Sequence, residues 1–287
     1  KCRRKEYKEL KMRVIEQFVQ SKTGIQESCE DGYVITDCFA AVIDGVTNKN
    51  AVQLGLDAPG KIAMELIKKG IGDLSPILSA HDAFKAINEL IYDSYCNLGL
   101  VEAMKKNPSQ RFSASCVIYN SVRRELWFLG DCMALANGTI YQFSKESDRL
   151  LSDLRSFLIY IQLSQGITEE QLLERDLCRQ QIHSFLVSQT FLQYSSQNCP
   201  FAYYVLDGIS EEAPRHAVVI SVDEKTTEIV LASDGYPTIY PTLEQTEAYL
   251  AHILEIDPLC YREFRSTKGL VKGNISFDDR AYVRLAI

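Results

Sequence analysis

Four aspartates stand where an apolar strand begins or stops. Asp44-Gly45 follows Phe39-Ala40-Ala41-Val42-Ile43, Gly130-Asp131 follows residues 126–129, Ser233-Asp234-Gly235 follows residues 229–232, and Asp278-Asp279 precedes residues 282–285. Taken singly, each is an ordinary turn, because Asp and Gly both favour turns. Taken together they allow a second reading. Strands of one sandwich end at a shared rim, so these carboxylates can converge on one cleft. Like charges brought together repel unless a cation neutralises them. Carboxylate oxygens without histidine or thiolate companions suit the hard cations Mg²⁺ and Mn²⁺.

The elements that must carry these residues read as follows. Residues 13–18 alternate apolar and polar, the pattern of a strand. Residues 33–36 and 39–43 suggest a hairpin about Asp37-Cys38, and the second run is apolar on both faces, as a central strand covered on both sides would be. Helices are expected over 61–69, ending at Gly70, and over 79–104 with Ser79 as N-cap. Strands return at 114–119, 125–129 and 133–136, closed by an Asn137-Gly138 turn. Residues 145–195 turn acidic, Leu- and Gln-rich and helical, with Thr168-Glu169-Glu170 opening one helix. Strands at 201–206, 217–222 and 228–232, a helix at 242–254 and a strand at 282–285 complete the chain. Hairpins in place of steady β-α-β alternation predict an α+β fold. The expected architecture is a four-layer α/β/β/α sandwich of two antiparallel sheets flanked by helices, a single domain over 1–287 with a helical insert at 145–195.

Composition narrows the chemistry. Among 287 residues, 46% are hydrophobic and 24% charged, with a formal net charge of −7. That balance argues against a nucleic-acid partner, which asks for a basic face. The one basic cluster, Lys1, Arg3, Arg4 and Lys5, reads as a solvated end. No apolar stretch asks for a membrane: residues 184–206 lack charges but are crowded with Gln, Ser and Asn. Nine scattered cysteines without a Cys-x-x-Cys pair fit free thiols in a reducing cytoplasm. There is no phosphate-binding Gly-x-x-x-x-Gly-Lys loop and no Gly-x-Ser-x-Gly elbow, and Gly70-Ile71-Gly72 leaves a helix instead of entering one. The histidines at 81, 183, 216 and 252 are isolated, which disfavours a histidine-built zinc site.

In order along the chain, Glu30-Asp31, Phe39–Gly45 with its closing Asp-Gly, Phe112-Ser113-Ala114-Ser115-Cys116-Val117 with Leu129-Gly130-Asp131-Cys132, Leu231-Ala232-Ser233-Asp234-Gly235 and Phe277-Asp278-Asp279 resemble the motif series of the metal-dependent protein phosphatases of the 2C type. The resemblance covers about residues 13–287. It implies a serine/threonine phosphatase with two Mg or Mn ions. Asp44 would bridge them, the Gly45 carbonyl would help hold the second, and Asp234 and Asp278 would hold the first. Asp131 would serve a third, weaker site, and Glu30 and Asp31 would orient metal-bound waters. The implied reaction is attack on phosphorus by a metal-bridging water, with no protein nucleophile. The substrate would be a phosphorylated protein or a small phosphomonoester.

The chain also departs from that pattern. Val46-Thr47-Asn48 follows Asp44-Gly45 where many members carry His-Gly or a glycine run. Gln26 falls where an arginine would bind substrate phosphate, leaving Lys22, Lys49 and Lys61 as candidates for that role. Thr238 replaces the family's next aspartate. The insert at 145–195 is open to three readings: packing, a flap, or the surface of a protein partner. A second functional reading therefore stands beside the first, a phosphatase-like regulatory or binding module with little or no turnover.

Overall fold

A computed structural model describes residues 12–47, 57–195 and 199–287 of the chain. The basic cluster at residues 1–5 and Lys49 lie outside them. Two five-stranded antiparallel sheets form the centre. One has the order β1 (Arg13–Gln20), β10 (Arg280–Ala286), β9 (Glu228–Ala232), β6 (Met133–Ala136), β7 (Thr139–Tyr141). The other has the order β2 (Asp31–Ile35), β3 (Phe39–Gly45), β4 (Ala114–Asn120), β5 (Glu125–Leu129), β8 (Val218–Ser221).

The alternation of side chains along β3 explains the layering. Phe39, Ala41 and Ile43 point one way, into a core shared with α1 (Pro59–Asp73) and α2 (Ala80–Leu98). Ala40 and Val42 point the other way, against Leu231, Val283 and Leu285 of the facing sheet. On that sheet's outer side, Met133, Val230 and Tyr282 pack with Leu250 and Ile253 of α7 (Leu243–Ile256). A strand apolar on both faces is thus covered on both faces, and the layers run α/β/β/α as the sequence predicts. Fully burying one such aliphatic side chain is worth roughly 1.5–3 kcal/mol.

Local signals place most of the termini. The Ser79 hydroxyl accepts the Asp82 N–H at 3.2 Å and caps α2. Asn137 and Gly138 both take positive φ, 49° and 75°, and close the β6–β7 hairpin. Thr168 and Gln171 form a reciprocal capping box at α5 (Glu169–Glu174).

Three expectations need correcting. Helix α1 runs past Gly70 to Asp73. A Cβ at Gly70 would lie 3.2 Å from Ile87, so this glycine serves the close crossing of α1 and α2 and does not end a helix. The helix expected over 79–104 breaks at Gly99, whose φ of 67° ends α2 before a short α3 (Val101–Lys106) begins. Residues 201–206 form no strand; their β-type pairing is limited to the isolated bridges Ala114–Leu206 and Gln193–Tyr203. The 145–195 segment is helical, with α4 (Glu146–Ser164), α5 and α6 (Leu177–Ser188).

Candidate metal centre

Strand register brings the acids together. In the β2–β3 ladder Asp31 lies opposite Asp44, and in the β3–β4 ladder Asp44 lies opposite Ser115. The Ser115 hydroxyl donates to Asp131 Oδ1 at 2.6 Å, tying the turn after β5 to the same rim. Gly130 makes that turn with φ 101°, and a Cβ there would fall 2.2 Å from the Ser115 hydroxyl. The facing sheet supplies Asp234 from the end of β9. Ser233 N–H donates to the Ala281 carbonyl at 3.1 Å, and Ala281 N–H donates back to the Ser233 hydroxyl at 2.9 Å. The Ser-Asp-Gly turn is thereby fixed to the start of β10. One oxygen each of Asp44, Asp131 and Asp234 then lies within 4.8 Å of the other two.

The remaining predicted residues take different places. Asp278 lines the same cleft, but its carboxylate is paired with Lys22 (Oδ1 to Nζ, 3.3 Å) and with Lys268 through Oδ2. Asp279 accepts the backbone N–H groups of Lys22 at 2.8 Å and Glu30 at 3.2 Å, anchoring the segment ahead of β2. Glu30 and Asp31 are both buried, and each keeps one oxygen without a hydrogen-bond partner, Oε1 and Oδ2 respectively. Gly45 has a packing reason of its own: a Cβ would come within 2.5 Å of the carbonyls of both Glu30 and Gly60. Of the candidate phosphate-binding lysines, Lys22 sits on Asp278 and Asp279, while Lys61 donates to the Glu27 carbonyl at 2.8 Å.

Two lysines that no motif marked complete the surroundings. Lys145, just ahead of α4, reaches Asp131 Oδ2 at 2.6 Å and lies 5.3 Å over the Tyr203 ring. Burial opposes its charge, but Asp131 and Asp148 outweigh burial and raise its pKa well above the usual lysine value. Lys268, from the loop before β10, faces Asp234 and Asp44 beside its contact with Asp278. Burial, with Lys22 nearby, pulls its pKa down. Neither residue belongs to a motif, so sequence pattern alone gives no handle on their roles.

The carboxylates fit a hard cation. Burial and the neighbouring acids push Asp44 up to about 8 and Asp31 up to about 7, and push Asp234 well above the ordinary carboxylate range. Asp131 is the exception: burial raises it, but Lys145 and Ser115 more than compensate and leave it low. Burial and mutual repulsion therefore favour the protonated forms of Asp44 and Asp234 until a cation is bound. An all-oxygen donor set under such repulsion, with unpartnered buried oxygens on Glu30 and Asp31 beside it, matches Mg²⁺ or Mn²⁺ and their water shells.

A pH dependence follows, with a definite sign. These aspartates have folded pKa values above their unfolded ones, so between the two the folded state binds more protons. In cation-free protein this contribution is complete near pH 4 and is lost as pH rises toward 8. The thermal midpoint, followed by circular dichroism in EDTA, is expected to fall across that window. Saturating Mn²⁺ should flatten the fall.

The chain matches no protein-family model and no curated protein. It is similar to solved structures of bacterial serine/threonine phosphatases over 96% of its length. The Mycobacterium tuberculosis serine/threonine phosphatase PstP/Ppp aligns at 14% identity over 98% of its own chain, with a TM-score of 0.45. The serine/threonine phosphatase Stp1 from Staphylococcus aureus aligns at 13% over 95% of its chain, with a TM-score of 0.45. PppA, described as a regulatory component of T6SS in Pseudomonas aeruginosa, aligns at 11% over 98%, with a TM-score of 0.48. The chemistry of the site rests on the side chains themselves.

Proposed function

We propose that this chain is a divalent-metal-dependent phosphomonoesterase acting on phosphoserine or phosphothreonine. The observation that carries this reading is the convergence of Asp44, Asp131 and Asp234, from both sheets, on one 4.8 Å cluster. They line a cleft of about 330 Å³ that also holds Lys145, Arg149, Arg265 and Lys268. Carboxylates for a cation, with exposed Arg149 and Arg265 beside them for an anion, are the charge arrangement a bound phosphate ester needs.

When bound, Mg²⁺ or Mn²⁺ supplies the positive charge that keeps the acids ionised and lowers the pKa of a water for attack on phosphorus. The chain's own groups do the rest. Asp44, Asp131 and Asp234 hold the cation, with Asp278 at the edge of the same cleft and the Gly45 carbonyl beside Asp44. Glu30 and Asp31, through their unpartnered oxygens, orient water beside it. Arg149 and Arg265, both largely exposed, meet the phosphoryl oxygens as the substrate enters. Lys145, held protonated by Asp131 and Asp148, adds positive charge beside the cluster.

Helix α4 and its neighbours form one wall of the cleft through Lys145, Asp148, Arg149, Ser152 and Leu186. Phe157 and Phe185, elsewhere on the insert, are 61% and 55% exposed, which supports the insert as a surface for a protein substrate or partner. No helix among the described residues is long and apolar enough to cross a membrane. The free cysteines support a reducing compartment such as the cytoplasm.

One observation favours the second reading, a regulatory module with little turnover. Lys145 on Asp131, and Lys22 with Lys268 on Asp278, already neutralise part of the acidic cluster. Release of inorganic phosphate from a phosphothreonine peptide separates the two. The phosphatase reading expects release with Mn²⁺ and none in EDTA; no release under either condition supports the regulatory module.

A further inference from the structure

We propose that Lys268 is a tethered cation standing in for one metal ion, so that the centre takes a single divalent cation instead of two. This deepens the metal-centre reading above and rests on it.

The argument starts from the loop that carries Lys268. The fully buried Asp257 carboxylate accepts the backbone N–H groups of Tyr261, Arg262, Glu263 and Phe264, the shortest at 2.8 Å. Arg155, fully buried on α4, donates to the carbonyls of Leu259 at 2.8 Å, Cys260 at 3.3 Å and Ser266 at 3.1 Å. From α6, Arg179 donates to the carbonyl and hydroxyl of Thr267. On the other side of Lys268, a Cβ at Gly269 would lie 2.4 Å from the Leu259 carbonyl and 2.8 Å from the Arg155 guanidinium. A lysine normally gives up a large rotamer entropy to hold one position. Here the backbone on both sides is already pinned by the insert, and Arg155 and Arg179 act as its positioning residues.

The ammonium it presents is where an ion would be. Asp278 is the one strand-end aspartate outside the three-oxygen cluster, and both its oxygens are taken, Oδ1 by Lys22 and Oδ2 by Lys268. A second ion drawing on Asp278 would have to displace that ammonium from a carboxylate it already pairs. Charge points the same way. The ammonium groups of Lys22 and Lys268 on Asp278, and of Lys145 on Asp131, already supply part of the positive charge that a second ion would bring to these carboxylates.

Calorimetric titration of Mn²⁺ into the cation-free full chain tests this by counting ions. One ion per chain is expected for the wild type, two for Lys268→Met, and one for Lys268→Arg, which keeps the charge. Two ions in the wild type overturn the proposal without any variant, and so does an equal count in wild type and Lys268→Met. Two ions with Mn²⁺-dependent phosphate release removes only the role of Lys268. No ion and no release removes the metal-centre reading with it. Circular dichroism establishes that each variant is folded before its count is taken.

Discussion

Asp234→Asn is expected to raise the thermal stability of the cation-free chain at pH 8 while removing the stabilisation that Mn²⁺ confers on the wild type. Both halves come from one cause. Burial and repulsion from Asp44 and Asp131 make an ionised Asp234 costly, so its pKa is driven up. A neutral amide of the same shape relieves that cost, worth on the order of 1–3 kcal/mol. The same change takes one oxygen from the three-carboxylate cluster. A cation present at a hundred times its Kd stabilises a folded protein by about 2.7 kcal/mol, and the variant should lose nearly all of it. Differential scanning calorimetry in EDTA and in Mn²⁺ reads both effects. A turn residue with no cation role would give a small loss in EDTA and an unchanged response to Mn²⁺.

Arg155→Leu should be the most damaging single change in the helical insert. The guanidinium has no exposure, pairs with Asp176 at 2.7 Å and satisfies three backbone carbonyls. Removing one partner of a buried pair typically costs about 3–5 kcal/mol, because the remaining charge and carbonyls stay desolvated and unpaired. Urea unfolding should show a loss of that size, and amide exchange should quicken first across residues 257–269. Arg149 gives the contrast. It is 64% exposed in its pairs with Glu146 and Asp153, and its replacement by alanine should cost no more than about 1 kcal/mol.

How much of this was legible in the sequence depends on which interactions are local. Strands β3, β4, β5 and β9 announce themselves because each is an apolar run with a turn residue at its end, and their layering follows from which faces are apolar. The clustering of Asp44 and Asp234 is likewise a consequence of strand ends sharing a rim. Asp131, which the resemblance gives to a weaker site, is held by the Ser115 hydroxyl within the three-oxygen group. Asp278, which the resemblance gives to the first ion, is paired with two lysines in the structure. Those placements rest on pairings outside any motif, such as Asp278 with Lys22 from the other end of the chain and Asp131 with Lys145 from the start of α4, which no spacing encodes. Gly70 misled for a similar reason. Its sequence context reads as a helix end, while its actual constraint is Ile87 on a second helix. Residues 201–206 have a strand's composition, but only bridges to Ala114 and Gln193 are on offer there, so no ladder forms.

The most direct test of the centre is hydrolysis of p-nitrophenyl phosphate by the wild-type chain and by Asp234→Asn, each measured with Mn²⁺ and with EDTA. The centre described here predicts turnover by the wild type that needs Mn²⁺, and a loss of at least about a hundredfold in the variant, beyond what loss of an indirect supporting group would cause. Equal rates in the two proteins, or a wild-type rate indifferent to Mn²⁺, would contradict it.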